Sequence, residues 1–302
     1  MYVPSEIATG ERERRADRLI ASTVRPGAAG RAWIGRGGRL SVVRTRVEGR
    51  HAVVRRFTHG GLLRKILPDL TLGRGRGLRE MRIVAHALDN GVPTPPILGV
   101  VFERRFGVFY RMHVVTEEAL GACNLTEFFL QLPMLDGRLA ARRKRAAIEA
   151  VARTLARLHR AEIYHGDLHL RNLLVRLPAI EERHRLAERT AAYVLDFDRA
   201  RLVPGLGERL RRRNLKRLVR SLRKVHPVGD RFSLRDAVRF LREYLGTRDR
   251  SVLAAWLRAL ARPARGHRLW WALTGATRPQ RSVAAAAPPQ AAATGGHPGG
   301  AP

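Results

Sequence analysis

Between Arg31 and Phe57 the apolar residues come in short alternating runs separated by glycines. Leu40-Ser41-Val42-Val43 and Ala52-Val53-Val54 are the apolar stretches, and Glu48-Gly49-Arg50 between them is a turn signal, so an antiparallel hairpin is predicted. The period then changes. Over 78–89, Leu78, Met81, Val84, Ala85 and Leu88 follow helical spacing, and Asn90-Gly91 with Pro93 stops that helix. Two more strands are predicted at Ile97–Phe102 and Gly107–Val115, separated by the polar turn Glu103-Arg104-Arg105. Beyond Pro133 the pattern becomes helical. Leu139, Ile148, Val151, Leu155 and Leu158 mark a helix over 138–160 with a basic opposite face. Asn172–Val175 and Tyr193–Leu195 read as short strands, and 206–226 and 233–262 as further helices. In 206–226, Leu206, Leu210, Leu215, Leu218, Val219 and Leu222 form an apolar stripe among arginines, suited equally to core packing and to a membrane surface. From Ser282 onward the chain is almost wholly Ala, Pro, Gly, Thr and Gln, and disorder is expected.

The composition belongs to a folded protein: 302 residues, 45% of them hydrophobic, are enough for a substantial core. A single cysteine, Cys123, excludes an intramolecular disulfide and a thiolate metal cage, which suits a reducing compartment. No apolar run approaches the ~20 residues of a membrane span, and Met1 to Arg15 has no signal-peptide core. A cytoplasmic location is therefore expected, soluble or on a membrane surface. The formal charge of +32 favours polyanionic partners such as anionic headgroups or phosphorylated glycolipid. No specific nucleic-acid partner is expected, because the basic residues are not interleaved with aromatic stacking platforms.

The chemistry concentrates in Tyr164-His165-Gly166-Asp167-Leu168-His169-Leu170-Arg171-Asn172-Leu173-Leu174-Val175, followed downstream by Val194-Leu195-Asp196-Phe197-Asp198. An acid, an amide five residues later and a second acid closing an apolar strand is the spacing of a phosphoryl-transfer site. Asp167 is the candidate catalytic acid facing an acceptor hydroxyl, and Asn172 and Asp196 are the candidate Mg²⁺ ligands beside ATP phosphates. Asp198 stands where many kinases have glycine and could reach the metal or pair with Arg199 or Arg201. Gly35, Gly37 and Gly38 precede a strand, where bare backbone could approach phosphates, although a plain hairpin loop would look the same. Val53 and Arg55 share a strand face, one placed for adenine and one for the α- and β-phosphates. Arg56 is the competing base. Glu80 is placed to pair with that base, with a solvated helix-surface glutamate as the alternative, and the backbone near Glu117, in Val114–Glu118, would meet adenine as a hinge. Element order and motif together predict an α+β, bilobal, protein-kinase-like fold. Its expected parts are a charged leader over 1–30, a β-rich N-lobe over 31–118, a helical C-lobe with the catalytic loop over 119–270 and a tail over 282–302.

The chain resembles the bacterial lipopolysaccharide core kinases, and within them the 3-deoxy-D-manno-octulosonic acid (Kdo) kinases, over roughly 31 to 225. The resembling residues are Val53-Val54-Arg55-Arg56-Phe57-Thr58-His59-Gly60-Gly61-Leu62, Arg79-Glu80, Gly91-Val92-Pro93-Thr94-Pro95, Tyr164–His169, Asp196-Phe197-Asp198-Arg199 and Asn214–Lys224. The resemblance implies ATP-dependent phosphorylation of the 4-hydroxyl of Kdo on lipid A at the cytoplasmic face of the inner membrane, with Asp167 as the active-site acid. The chain departs from the family pattern in a charged insertion from Pro178 to Thr190, in Thr58-His59 and in its C-terminal extension. Rival readings are a core heptose kinase, disfavoured by Arg55 where lysine is expected, and a non-catalytic polyanion-binding pseudokinase, disfavoured by retention of Asp167, Asn172 and Asp196. A protein kinase is disfavoured because no Ala-Pro-Glu-like element follows Asp198.

Overall fold

A computed structural model describes residues 32–33, 42–57, 70–179, 186–225 and 231–261. In it the expected hairpin forms from β2 (Val42–Val47) and β3 (Arg50–Arg56), preceded by the short strand β1 (Ala32–Trp33). Glu48 and Gly49 both take positive φ, 52° and 76°, and pair Val47 with Arg50 across a two-residue turn. The sheet is completed by β4 (Leu70–Leu72), β5 (Ile97–Phe106) and β6 (Phe109–Glu117). All pairings are antiparallel, and β3 and β4 join successive stretches of one edge of β6 while β5 takes the other.

The predicted turn at Glu103-Arg104-Arg105 is displaced. Both strands run on and reverse at Gly107, whose φ is 50°. The charges that read as a turn are instead cross-strand partners: Glu103 sits opposite Arg111, and His113 Nε2 lies 2.7 Å from its carboxylate.

Helix α1 (Gly75–Asp89) begins earlier than its apolar spacing indicates, because its first turn is glycine and arginine. It also buries a different stripe. Gly77, Glu80, Ile83, Val84 and Ala87 face inward, whereas Leu88 is exposed. Gly77 lets the helix press on the sheet: a Cβ there would lie 2.5 Å from Met112 Sδ. The inward Glu80 is what a pattern of apolar residues cannot register.

The described residues beyond β6 are mainly helical. In order come β7 (Ala122–Asn124), α2 (Leu125–Gln131), α3 (Gly137–Arg160), β8 (Ile163–Tyr164), β9 (Leu173–Arg176), the single turn α4 (Leu186–Arg189), β10 (Ala191–Val194), β11 (Arg201–Leu202), α5 (Glu208–Lys224), α6 (Leu234–Leu245) and α7 (Arg250–Ala261). Asp136 caps α3 by accepting from the Arg138 and Leu139 amides. The single helix expected over 233–262 is two. Gly246, at φ 66°, ends α6, and Asp249 accepts from the Ser251 and Val252 amides to start α7. One hydrophobic core runs without a break from α1 and the sheet into these helices, and a smaller cluster around Val54 and Val115 packs on the sheet's other face. The α5 stripe turns inward. Leu215 is buried in the core with Leu218 and Leu222 packed against it, and the three line, with Val219, an apolar cavity of roughly 490 Å³ opposite Val151, Phe240 and Leu257.

Candidate active site

Two small pairings place the site. In the β9–β10 hairpin Leu173 pairs with Val194, so Asn172 and Leu195 are neighbours, and Asp196 follows at once. The β8–β11 pairing sets Arg201 opposite Tyr164, which lays the loop 165–172 beside the turn after Asp196. Asp167, Asn172 and Asp196 thus converge on ends of paired strands. One side-chain and one backbone hydrogen bond tie them together: Asn172 Nδ2 donates to the Asp167 carbonyl at 3.0 Å, and the Leu195 amide donates to the Asn172 carbonyl at 2.9 Å.

His165 is the internal brace. It is fully buried, and its Nε2 lies 2.8 Å from the Leu195 carbonyl, which identifies Nε2 as the protonated nitrogen. Nδ1 then accepts a long bond from the Asp167 amide at 3.4 Å. Burial lowers the His165 pKa, so the ring stays neutral. Gly166 adopts φ +73°, and a Cβ there would stand 2.2 Å from the Arg199 carbonyl oxygen. Gly166→Ala should therefore lower unfolding free energy by more than ~2 kcal/mol, combining left-handed strain with overlap. Gly205→Ala, with φ +62° but open space around it, should lose only about 1 kcal/mol in the same urea titration.

A second buried network supports the loop from below. Asn214 Oδ1 accepts both from the His165 amide and from His159 Nε2, each at 3.1 Å, so His159 Nδ1 accepts from the Tyr244 hydroxyl at 2.6 Å. Burial, aided by Arg211 and His165 and opposed by the Asn214 bond, brings the His159 pKa down to about 4. A depressed histidine contributes stability that is present above its unfolded value near 6.5 and is lost as pH falls towards the folded value. From neutral pH to about pH 4 the loss should reach about 3 kcal/mol. Urea midpoints taken from about pH 7.5 to about pH 4.5 should fall steeply for the wild type and less steeply for His159→Gln.

Arg55 closes the site from the sheet. Its Nη2 donates to Glu80 Oε1 at 2.5 Å and its Nη1 to Asp196 Oδ1 at 2.7 Å. Of the two candidate bases it is therefore Arg55, not Arg56, that meets both carboxylates. Burial alone would lower the Arg55 pKa, but Glu80, Asp196 and Asp198 outweigh it and hold the guanidinium charged. Glu80 is pushed up to about 7, by burial first and then by Asp196 and Asp198, against the pull of Arg55. Val53 lies on the Arg55 face of β3 by the strand's alternation. Glu117 ends β6 with its amide donated to the Pro96 carbonyl, and the Glu118 amide goes to His51, so both N–H groups are already engaged. Gly35, Gly37 and Gly38 lie outside the described residues.

The expected partners of Asp198 are corrected. Its carboxylate is held by both Nε and Nη2 of Arg76 from α1, not by Arg199 or Arg201, and Arg79 Nη2 reaches its carbonyl at 3.3 Å. Arg76 and the His159–Asn214–Tyr244 network are the participants that sequence reasoning missed. The spacing of Arg76, Arg79 and Glu80 on one helix was the available signal for the first.

For a divalent ion the donors fit. Asp196 offers a carboxylate, and Asn172, with its Nδ2 turned to the Asp167 carbonyl, has its Oδ1 left to accept; hard oxygens of this kind suit Mg²⁺.

A glutamate on a helix paired with a strand base, and a strand-end aspartate beside a loop of the form D-x-x-x-x-N, define a protein-kinase-like phosphotransferase. The sequence model of the lipopolysaccharide kinase (Kdo/WaaP) family matches residues 28–244, and the chain belongs to that family of ATP-dependent kinases. A 3-deoxy-D-manno-octulosonic acid kinase of Stenotrophomonas maltophilia is 31% identical over 78% of this chain and 86% of its own length. One from Xylella fastidiosa is 29% identical over 64% and 70%. A solved structure of WaaP in complex with acyl carrier protein covers 83% of this chain and 92% of its own, with a TM-score of 0.50 and 24% identity, and supports the fold.

Proposed function

We infer that this protein transfers the terminal phosphoryl group of ATP to the 4-hydroxyl of Kdo on lipid A. The observation that carries the reading is Arg55, which joins Glu80 to Asp196 and so brings sheet, helix and catalytic loop to one point. The curated relatives, named as Kdo kinases, supply the acceptor.

In this reading residues 31–118 hold the nucleotide and 119–270 carry the catalytic loop. Val53 and the backbone near Glu117 enclose adenine, and Arg55 supplies a planar fork for phosphate oxygens. Asn172 and Asp196 hold Mg²⁺, which neutralises charge on the phosphates when bound. Asp167 orients the Kdo hydroxyl and takes its proton as the hydroxyl oxygen bonds to the γ-phosphorus and the bond from that phosphorus to the ADP oxygen breaks. Catalysis is then mostly positioning and charge neutralisation. The excess positive charge suits a site on the cytoplasmic face of the inner membrane, against anionic headgroups and the acceptor's own phosphates. Among the described residues no helix is long and apolar enough to cross a membrane. The acceptor position is tested by NMR of the products formed from ATP with Kdo–lipid A and with a heptose-bearing core acceptor. A phosphate on the 4-oxygen is expected, and one placed only on heptose-containing acceptors would redirect the assignment to a core heptose.

A further inference from the structure

Helix α1 brings more to the site than Glu80. Arg76, Arg79 and Glu80 stand at i, i+3 and i+4 and share one helix face. That face meets the turn after β10 at three points. Arg76 grips the Asp198 carboxylate with two donors, Arg79 reaches the Asp198 carbonyl, and Glu80 connects to Asp196 through Arg55. The pair is enclosed, with Arg76 29% and Asp198 11% exposed at the side chain, and the Arg76 guanidinium lies over the Phe57 ring, 3.8 Å from its centroid. Between the anchors Asp196 holds φ 62° and ψ 71°, a left-handed conformation that residues with a Cβ adopt rarely, aspartate and asparagine most readily. Such a backbone persists only where its surroundings over-determine it. Relaxation of the turn would swing the Asp196 carboxylate away from Asn172.

We propose that Arg76 and Asp198 are positioning residues: a clamp between α1 and the Asp196 turn that keeps the Asp196 carboxylate aimed at the divalent ion accompanying the nucleotide. The proposal rests on the reading of Asp196 as a metal-holding group. A bidentate fork is needed, since a point charge would fix the distance of the turn but not its rotation.

The test is ATP binding to the full chain by calorimetry, with and without Mg²⁺. In the wild type Mg²⁺ tightens binding. In Arg76→Ala and Asp198→Ala that Mg²⁺ enhancement should shrink about tenfold while metal-free ATP affinity stays within about twofold, and the double variant should lose no more than either single one. Arg76→Lys, which keeps the charge but not the fork, should lose part of the enhancement. Where an alanine variant does not fold, Arg76→Lys and Asp198→Asn decide the matter by the same comparison. Folded variants that retain the full enhancement would reduce the pair to a stabilising contact and overturn the proposal. A wild type that binds ATP without any Mg²⁺ effect would instead overturn the metal role of Asp196, and the clamp with it.

Discussion

Asp167→Asn should reduce phosphoryl transfer by about 10³-fold while leaving ATP affinity nearly unchanged. The substitution keeps the shape of the side chain and the Asp167 backbone carbonyl that holds Asn172. It removes only the group able to take a proton from the acceptor. The loss should therefore appear in kcat, with KM for ATP within about twofold of the wild type. Steady-state transfer measured beside calorimetric ATP binding separates the two. A variant that keeps more than about a tenth of wild-type turnover would remove Asp167 from the chemistry.

Arg55→Met should cost both activity and stability. The Arg55 side chain is 17% exposed and Glu80 4%, so removing the guanidinium strands a buried carboxylate and leaves Asp196 without its partner. Breaking such a pair from one side costs about 3 kcal/mol. The cost should depend on pH in a defined sense. Glu80 is already pushed up to about 7, and Arg55 is what holds it down, so without Arg55 it rises further. A carboxyl raised in the fold contributes stability at low pH that is lost as pH rises through its folded value. The variant's deficit in urea titrations should therefore be small near pH 5 and grow towards about pH 8. ATP binding should weaken at least ~10-fold, and Arg55→Lys should recover stability more fully than affinity, since lysine restores charge but not the fork. Arg56→Met should leave ATP affinity within about twofold, because Arg55 is the base that meets both carboxylates.

Much of this was legible in the sequence for definite reasons. The strands around Glu48-Gly49 and the long α3 follow apolar periodicity, which depends on burial alone. Asp167, Asn172 and Asp196 could be placed because strand ends fix a short motif in space, and the register of Leu173 with Val194 does bring them together. What periodicity missed was polar and buried. Glu80 faces inward because Arg55 meets it there, which rotated the predicted stripe of α1. The partner of Asp198 lies 122 residues away in sequence, so nothing near Asp198 pointed to Arg76, and the helix face it shares with Arg79 and Glu80 was the one signal. The turn at Glu103–Arg105 was misplaced because charges facing each other across two strands look, in one strand, like charges in a loop. The break at Gly246 was lost because α6 and α7 both continue the apolar pattern.

Phosphorylation of Kdo on lipid A at this site is tested most directly by supplying the wild-type protein with Mg²⁺ and ATP labelled in its terminal phosphate, and offering Kdo–lipid A beside the same glycolipid lacking Kdo. Label should enter the Kdo-bearing lipid and not the other. A folded, ATP-binding wild type that labels neither, or labels both equally, would contradict the account.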